Sequence, residues 1–382
     1  MNTKLDLSKR IGMIMLVLCA TLIVAVLPAA AYYNADKPLV TYEQGTINGD
    51  MNYTIGNSSY SDKMWSNDSS NMYTVLLPNN LPVSAYDIKG RLYVYWTWSF
   101  NDTDQYPGRG YYDTGVNATM NVTFSTGGPF QLCTLDETYM DRKNDTEWNG
   151  DLNATMYDYP SGTYAYDVSG YLDPYASDYV VRVNNSYDGA GERSFNIQAV
   201  GLLIYYNMTS TGIATPLKYY WVDEGCDITY VNWKNTTETW GSVITPDGTV
   251  HLTPDGAVSL AKFENVCPCN VNSANLITCA PSAGTPYNRL YFNYFFNYPA
   301  WEGIRYWDGL WNANPYPDFS WNVTDVKNNL ICGTNYAGFQ NGLYTMLEDP
   351  GNQEKQMQAA NAFLLITYNQ TALSPEKLIG IK

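Results

Sequence analysis

The segment Arg91–Phe100, RLYVYWTWSF, alternates so regularly that it constrains the fold more than any other stretch. Leu92, Val94, Trp96, Trp98 and Phe100 fall on one side, and Arg91, Tyr93, Tyr95, Thr97 and Ser99 on the other. Side chains two apart share one face of a strand, so the spacing predicts a β-strand with an apolar face and a Tyr-bearing face. The pattern recurs as RLYFNYFFNY at Arg289–Tyr298. Two further echoes keep the same order. YDVSGYL from Tyr166 matches WNVTDVKNNL from Trp321, and Leu202-Leu203-Ile204 before the sequon at Asn207 matches Leu364-Leu365-Ile366 before the one at Asn369. Motifs repeated in order predict a duplicated domain.

Most of the remainder reads as short strands and turns. TPDGTVHLTPDGAVSL sets alternating segments between Pro-Asp-Gly turns, and NQEKQMQAANAF at 352–363 is the one helix-like stretch. The expected fold is all-β, with two β-sandwich or jelly-roll-like domains at residues 32–210 and 240–372. A connector at 211–239 and a C-terminal tail at 373–382 complete the division.

Residues 1–31 read as a secretory signal peptide. Lys4, Lys9 and Arg10 precede the apolar run Ile11–Leu27, and Ala29-Ala30-Ala31 supplies the cleavage site before Tyr32. Cys19 leaves with this segment, no second apolar run follows, and no membrane span is expected after cleavage. Cleavage removes three of 21 basic residues and one of 37 acidic ones, taking the net charge from −16 to −18. A chain this acidic is a poor partner for phosphate backbones, which excludes nucleic-acid binding.

Six cysteines remain: Cys133, Cys226, Cys267, Cys269, Cys279 and Cys332. An even number in an exported chain points to disulfides, with the pairing open. Thirteen sequons are candidate N-glycan sites: Asn52, Asn57, Asn67, Asn101, Asn117, Asn121, Asn144, Asn153, Asn184, Asn207, Asn235, Asn322 and Asn369. Asp-rich loops offer oxygen ligands suited to calcium at Asp102, Asp104, Asp141, Asp145, Glu147 and Asp151, although their spacing is not that of an EF-hand. A Ser-His-Asp triad would need His251, the only histidine, which sits in a strand-like T-V-H-L beside a turn. No other catalytic motif is present, so the chain is expected to be no enzyme and to need no cofactor, with calcium the one candidate ion against a default of solvated turns.

GRLYVYWTWSF, the segment AVGLLIYYNMTSTGIATPLKYYWVDEGCD and the closing WNVTDVKNNLICGTNYAGFQNG resemble a family of unknown function found in secreted surface proteins of methanogenic archaea. The likeness covers most of the mature chain, which resembles the branch that includes the major sheath protein of filamentous methanogens. It implies a structural subunit of an extracellular sheath or surface layer, polymerising with copies of itself, discussed there as a functional amyloid, and it brings no catalytic residues. Exposed strand edges would supply the pairing surface. Tyr93, Tyr95, Trp96, Trp98, Tyr291 and Phe295 are the aromatic strand and contact candidates, serving either as sheet-packing or as subunit-contact surfaces. Aromatic strips also stack on sugars, so a secreted carbohydrate-binding adhesin is the alternative.

Overall fold

A computed structural model describes residues 37–66, 68, 71–101, 116–141, 160–189, 191–209, 216–230, 241–244, 250–253, 258–283, 288–293, 306–313, 318–341 and 356–369. In chain order the strands are β1 (Val40–Ile47), β2 (Asp50–Thr54), β3 (Met64–Trp65), β4 (Met72–Pro78), β5 (Ala85–Asn101), β6 (Met120–Ser125), β7 (Gln131–Leu132), β8 (Leu135–Asp141), β9 (Ser161–Asp167), β10 (Asp178–Asn185) and β11 (Arg193–Met208). They continue as β12 (Lys218–Tyr230), β13 (Gly241–Ile244), β14 (Val250–Thr253), β15 (Val258–Val266), β16 (Val271–Cys279), β17 (Asn288–Phe292), β18 (Tyr306–Asp308), β19 (Trp321–Asp325), β20 (Gly333–Asn341) and β21 (Gln356–Tyr368). Among the described residues the only helical elements are two single 3₁₀ turns.

The strand orders are the same twice over. In the first half β2-β11-β5-β9 form one sheet and β4-β10-β6-β7 the other; in the second half β12-β21-β16-β19 and β15-β20-β17-β18 do the same. Numbered one to eight within each half, the sheets read 1-8-3-6 and 2-7-4-5, the order of a jelly roll built from two Greek keys. The chain is thus two jelly rolls in tandem. β8 extends the first inner sheet beyond β9, and β1 crosses to extend the second beyond β12. The β13–β14 hairpin, which contains His251 as expected, is additional.

This register corrects the alignment of the repeats. Leu202 pairs with Leu92 and its counterpart Leu364 pairs with Leu276, so the partner of Arg91-Leu92-Tyr93 is Asn275-Leu276-Ile277 on β16. Arg289-Leu290-Tyr291 lies instead on β17, in the outer sheet. Val168 corresponds to Val326, not Val323. Val168 N–H donates to Gly90 and Val326 N–H to Ala274, at 3.0 and 2.9 Å, and each valine precedes a 3₁₀ turn at φ −114° and −113°. Period-two alternation is shared by every strand, which is why the R-L-Y echo misled. The Leu-Leu-Ile echo holds.

Two other expectations change. Residues 218–230, within the expected connector, form β12, the first strand of the second roll. The helix-like stretch is β21 from Gln356 onward, because Ala359, Ala362, Leu364 and Ile366 pack into the second core while Ala360, Phe363 and Leu365 fill the seam described below. Burial on both faces overrides helix propensity.

Each roll has its own core. Leu92, Val94 and Trp96 meet Val75, Leu77, Phe124 and Val181 in the first; Leu276, Leu364 and Ile366 meet Phe263, Leu290 and Phe339 in the second. Gly162 lies under Trp96, where an added Cβ would come within 2.5 Å of the indole. At Trp98 (φ 56°) the β5–β11 register shifts, so the alternation predicted through Phe100 ends in a bulge.

Candidate functional site

The second face of β5 answers what its tyrosines do. Tyr93 and Tyr95 are fully buried and pack with Tyr53, Leu203 and Tyr205 of the first roll against Val222, Cys279, Phe363 and Leu365 of the second. The two inner sheets thus stack face to face within one chain. Tyr93 stacks on Phe363 with centroids 5.8 Å apart, and Tyr95 meets Phe319 at 4.6 Å. Gly201 leaves room for the Tyr53 ring, whose hydroxyl would lie 2.2 Å from a Cβ there. Tyr53 and Tyr95 hydroxyls are 3.0 Å apart, and Tyr95 donates to Asn361 Oδ1 at 2.7 Å.

Charge is concentrated along this seam. Arg91 on β5 makes a two-pronged contact with Glu224 on β12, Nε to Oε1 at 2.9 Å and Nη2 to Oε2 at 2.8 Å. Glu224 also accepts from Tyr93 at 2.8 Å and Tyr139 at 3.0 Å. Asp136 on β8 holds the remaining guanidinium edge, and the Tyr42 ring lies 3.7 Å from Arg91 Cζ. Arg91 and Glu224 are 1% and 0% exposed, so neither charge could persist there without the other. A second cluster gathers Tyr205 (2.5 Å), Tyr220 (2.7 Å) and Lys89 on Glu43, and these hydrogen bonds and the Lys89 charge leave the Glu43 carboxyl below its ordinary value against the opposing effect of burial.

These contacts give WVDEGCD its role. Trp221 Nε1 donates to Glu264 O at 2.9 Å, Asp223 Oδ2 accepts from Lys262 N at 2.8 Å, and Glu224 holds Arg91. The register shifts between Glu224 and Asp227. Across the seam Asp141 on β8 accepts from Ile228 N at 2.7 Å and pairs with Lys37 at 3.1 Å. Trp221 and Asp223 thus anchor the stretch to β15 of its own roll, and Glu224 clamps it to the first. Sequence reasoning missed Arg91, Glu43, Asp223 and Glu224; the available signal was an Asp-Glu pair inside the strand-like KYYWVDEGCDITY of a chain with only 15% charged residues.

Burial pushes the Asp223 carboxyl up to about 7; Glu224 and Glu264 raise it further, while Thr41 and the Lys262 N–H oppose the shift. A carboxyl raised on folding weakens the native state as pH climbs from its unfolded value toward its folded one, and the full effect is reached above the folded value. Asp223→Asn is therefore expected to match the parent near pH 4 and to exceed it by about 4 kcal/mol above pH 7, read from urea unfolding across that range.

The other sequence candidates fall elsewhere. Tyr93, Tyr95, Trp96 and Tyr291 are buried within the chain, in line with the sheet-packing alternative and not the subunit-contact one; Trp98 is half-buried, and Phe295 lies outside the described residues. Of the calcium candidates Asp141 is committed to Ile228 and Lys37, while Asp102, Asp104, Asp145, Glu147 and Asp151 lie outside the described residues. No acidic, Cys or His cluster able to hold a metal occurs among the described residues. Asn57, Asn117, Asn121 and Asn369 are exposed, whereas Asn52, Asn184, Asn207 and Asn322 are half-buried. The side chains of Asn67, Asn101, Asn144, Asn153 and Asn235 are outside the described set. Of the disulfide candidates, Cys133, Cys226 and Cys279 are buried, Cys226 within β12, while Cys267, Cys269 and Cys332 converge at one corner.

The fold and this seam define a tandem jelly-roll protein whose halves are joined by a buried ionic and aromatic interface. The model of the family described as "Protein of unknown function (DUF3344)" matches residues 32–367, and the chain belongs to that family. No curated protein matches it. Among solved structures it is similar to a chain from the 3.5 Å cryo-EM structure of the Sputnik virophage, with 8% identity, 87% of this chain and 91% of that one covered, and a TM-score of 0.21. A protein from Parabacteroides distasonis gives 6% identity, 87% and 97% coverage, and 0.17. Scores this low establish no shared architecture. Among the described residues no helix is long and apolar enough to cross a membrane.

Proposed function

We propose that the protein is a non-enzymatic structural subunit of an extracellular sheath or surface layer, and that copies join by adding strand edges to one another. The observation that carries this reading is a side of the first roll that no described strand covers. β7 ends its outer sheet and β8 ends its inner one, and between and along them Leu132 and Leu135 are 61% and 42% exposed. An end strand presents unpaired N–H and C=O groups, and apolar side chains beside them favour coverage by another chain. Asn57 guards a different end strand. Its side chain accepts from Leu76 N at 2.7 Å and its N–H donates to Leu76 O at 3.2 Å, so β4 is partly closed to pairing. The export-type leader and the resemblance to methanogen surface proteins support the same reading. A double jelly roll clamped by Arg91–Glu224 is a rigid unit suited to a lattice.

The test is light scattering and electron microscopy of the exported chain as concentration rises. An ordered polymer is expected. Leu132→Lys with Leu135→Lys should raise the concentration at which it forms by about tenfold or more, since each exposed leucine contributes about 1 kcal/mol when covered. A monodisperse monomer that binds glycans would support the adhesin reading instead.

A further inference from the structure

The exported chain has six cysteines, but their placement divides them three and three. Cys133, Cys226 and Cys279 are 6%, 2% and 0% exposed. The other three meet at the end of the second outer sheet. The turn Cys267-Pro268-Cys269-Asn270 links β15 to β16, and β20 starts beside it, immediately after Cys332. Val266 pairs with Gly333, so the next position outward sets Cys267 opposite Cys332. Opposed residues of an antiparallel ladder have Cα atoms about 4.5–5.5 Å apart, within the roughly 4.4–6.8 Å a disulfide requires. The turn is pinned: Tyr368 Oη donates to Cys267 O at 2.7 Å, Asn369 N to Asn270 O at 2.9 Å, and Asn270 takes φ 60°. Cys269 is exposed, its thiol hydrogen-bonded to Cys267 and within electrostatic reach of Cys332.

Three accessible thiols are an odd number, and one in-chain bond always leaves one over. We propose that this corner is a covalent coupling site for a second copy of the chain, in which Cys267 and Cys332 form the in-chain disulfide and Cys269 bonds Cys269 of the other copy. Each bond forms by exchange with a small-molecule disulfide. Two thiols lose two protons and two electrons, the S–S bond of the oxidant breaks, and two small thiols leave. A bond between identical residues implies a two-fold contact, in which the same corner is presented by both subunits. The partner assignment rests on the self-assembly reading; the parity of thiols does not. The contacts with Cys267 and Cys332 raise the Cys269 thiol above its ordinary range, so coupling accelerates with rising pH as its thiolate forms.

The test exposes the native exported chain to glutathione disulfide, then applies denaturing electrophoresis without reductant and peptide mass mapping. A covalent dimer is expected, with a Cys269–Cys269 peptide and a Cys267–Cys332 peptide. Cys269→Ser, an exposed position, should keep the native circular dichroism and the in-chain bond while yielding roughly tenfold less dimer. Dimer undiminished in Cys269→Ser, or Cys269 recovered only as thiol or glutathione adduct in the parent, would overturn the proposal. Light scattering of the same samples separates the two ideas: non-covalent polymer without the Cys269 bond defeats the coupling alone, and absence of polymer defeats the assembly reading.

Discussion

Glu224→Ala is expected to lower the unfolding free energy by about 3–5 kcal/mol, because it leaves the Arg91 guanidinium buried without its two-pronged partner. Asp136 compensates little, since it is 42% exposed at its side chain and meets one nitrogen, whereas Glu224 supplies both oxygens and is fully enclosed. The same substitution orphans the hydroxyls of Tyr93 and Tyr139, which add to the loss. Urea unfolding checks the size. The double change Arg91→Leu with Glu224→Leu should recover most of it, because removing both charges leaves none to desolvate. A single variant as stable as the parent would mean that the ionic seam does not hold the rolls together.

The second large effect lies in the first core. Trp96→Ala should cost about 3–5 kcal/mol. The indole is fully buried, crosses Tyr164 edge-on with centroids 5.4 Å apart, and lies on Gly162, which offers no side chain to fill the space. Tyr175→Ala serves as the control. Tyr175 is 76% exposed, and its replacement should stay within about 0.5 kcal/mol of the parent in the same urea titration.

Much of this was legible in the amino-acid order. The alternation of Leu92, Val94 and Trp96 against Tyr93 and Tyr95 announced a two-faced strand, and the Leu-Leu-Ile echo correctly matched β11 to β21. The pattern could not say which sheet a strand enters. Arg289-Leu290-Tyr291 mimics Arg91-Leu92-Tyr93 residue for residue yet occupies the outer sheet, because a period of two describes every half-buried strand alike. β21 was hidden for a related reason. Gln358, Ala359, Ala360 and Asn361 carry helix-compatible composition, and only a strand buried on both faces makes sense of them. The clamp was hardest to read. Arg91 and Glu224 are 133 residues apart, and no local rule predicts that one will close on the other.

The Tyr face of β5 carries the central claim: it joins the two rolls inside one chain and so is already covered before any assembly. Chemical nitration of tyrosine in the dissociated monomer, read by peptide mass mapping, tests this most directly. Tyr175 and Tyr86, 76% and 48% exposed, should be modified, while Tyr93 and Tyr95, both 0% exposed, should remain intact whether or not copies associate. Modification of Tyr93 and Tyr95 in the monomer, with protection appearing only on polymerisation, would contradict the account and return those side chains to the surface between subunits.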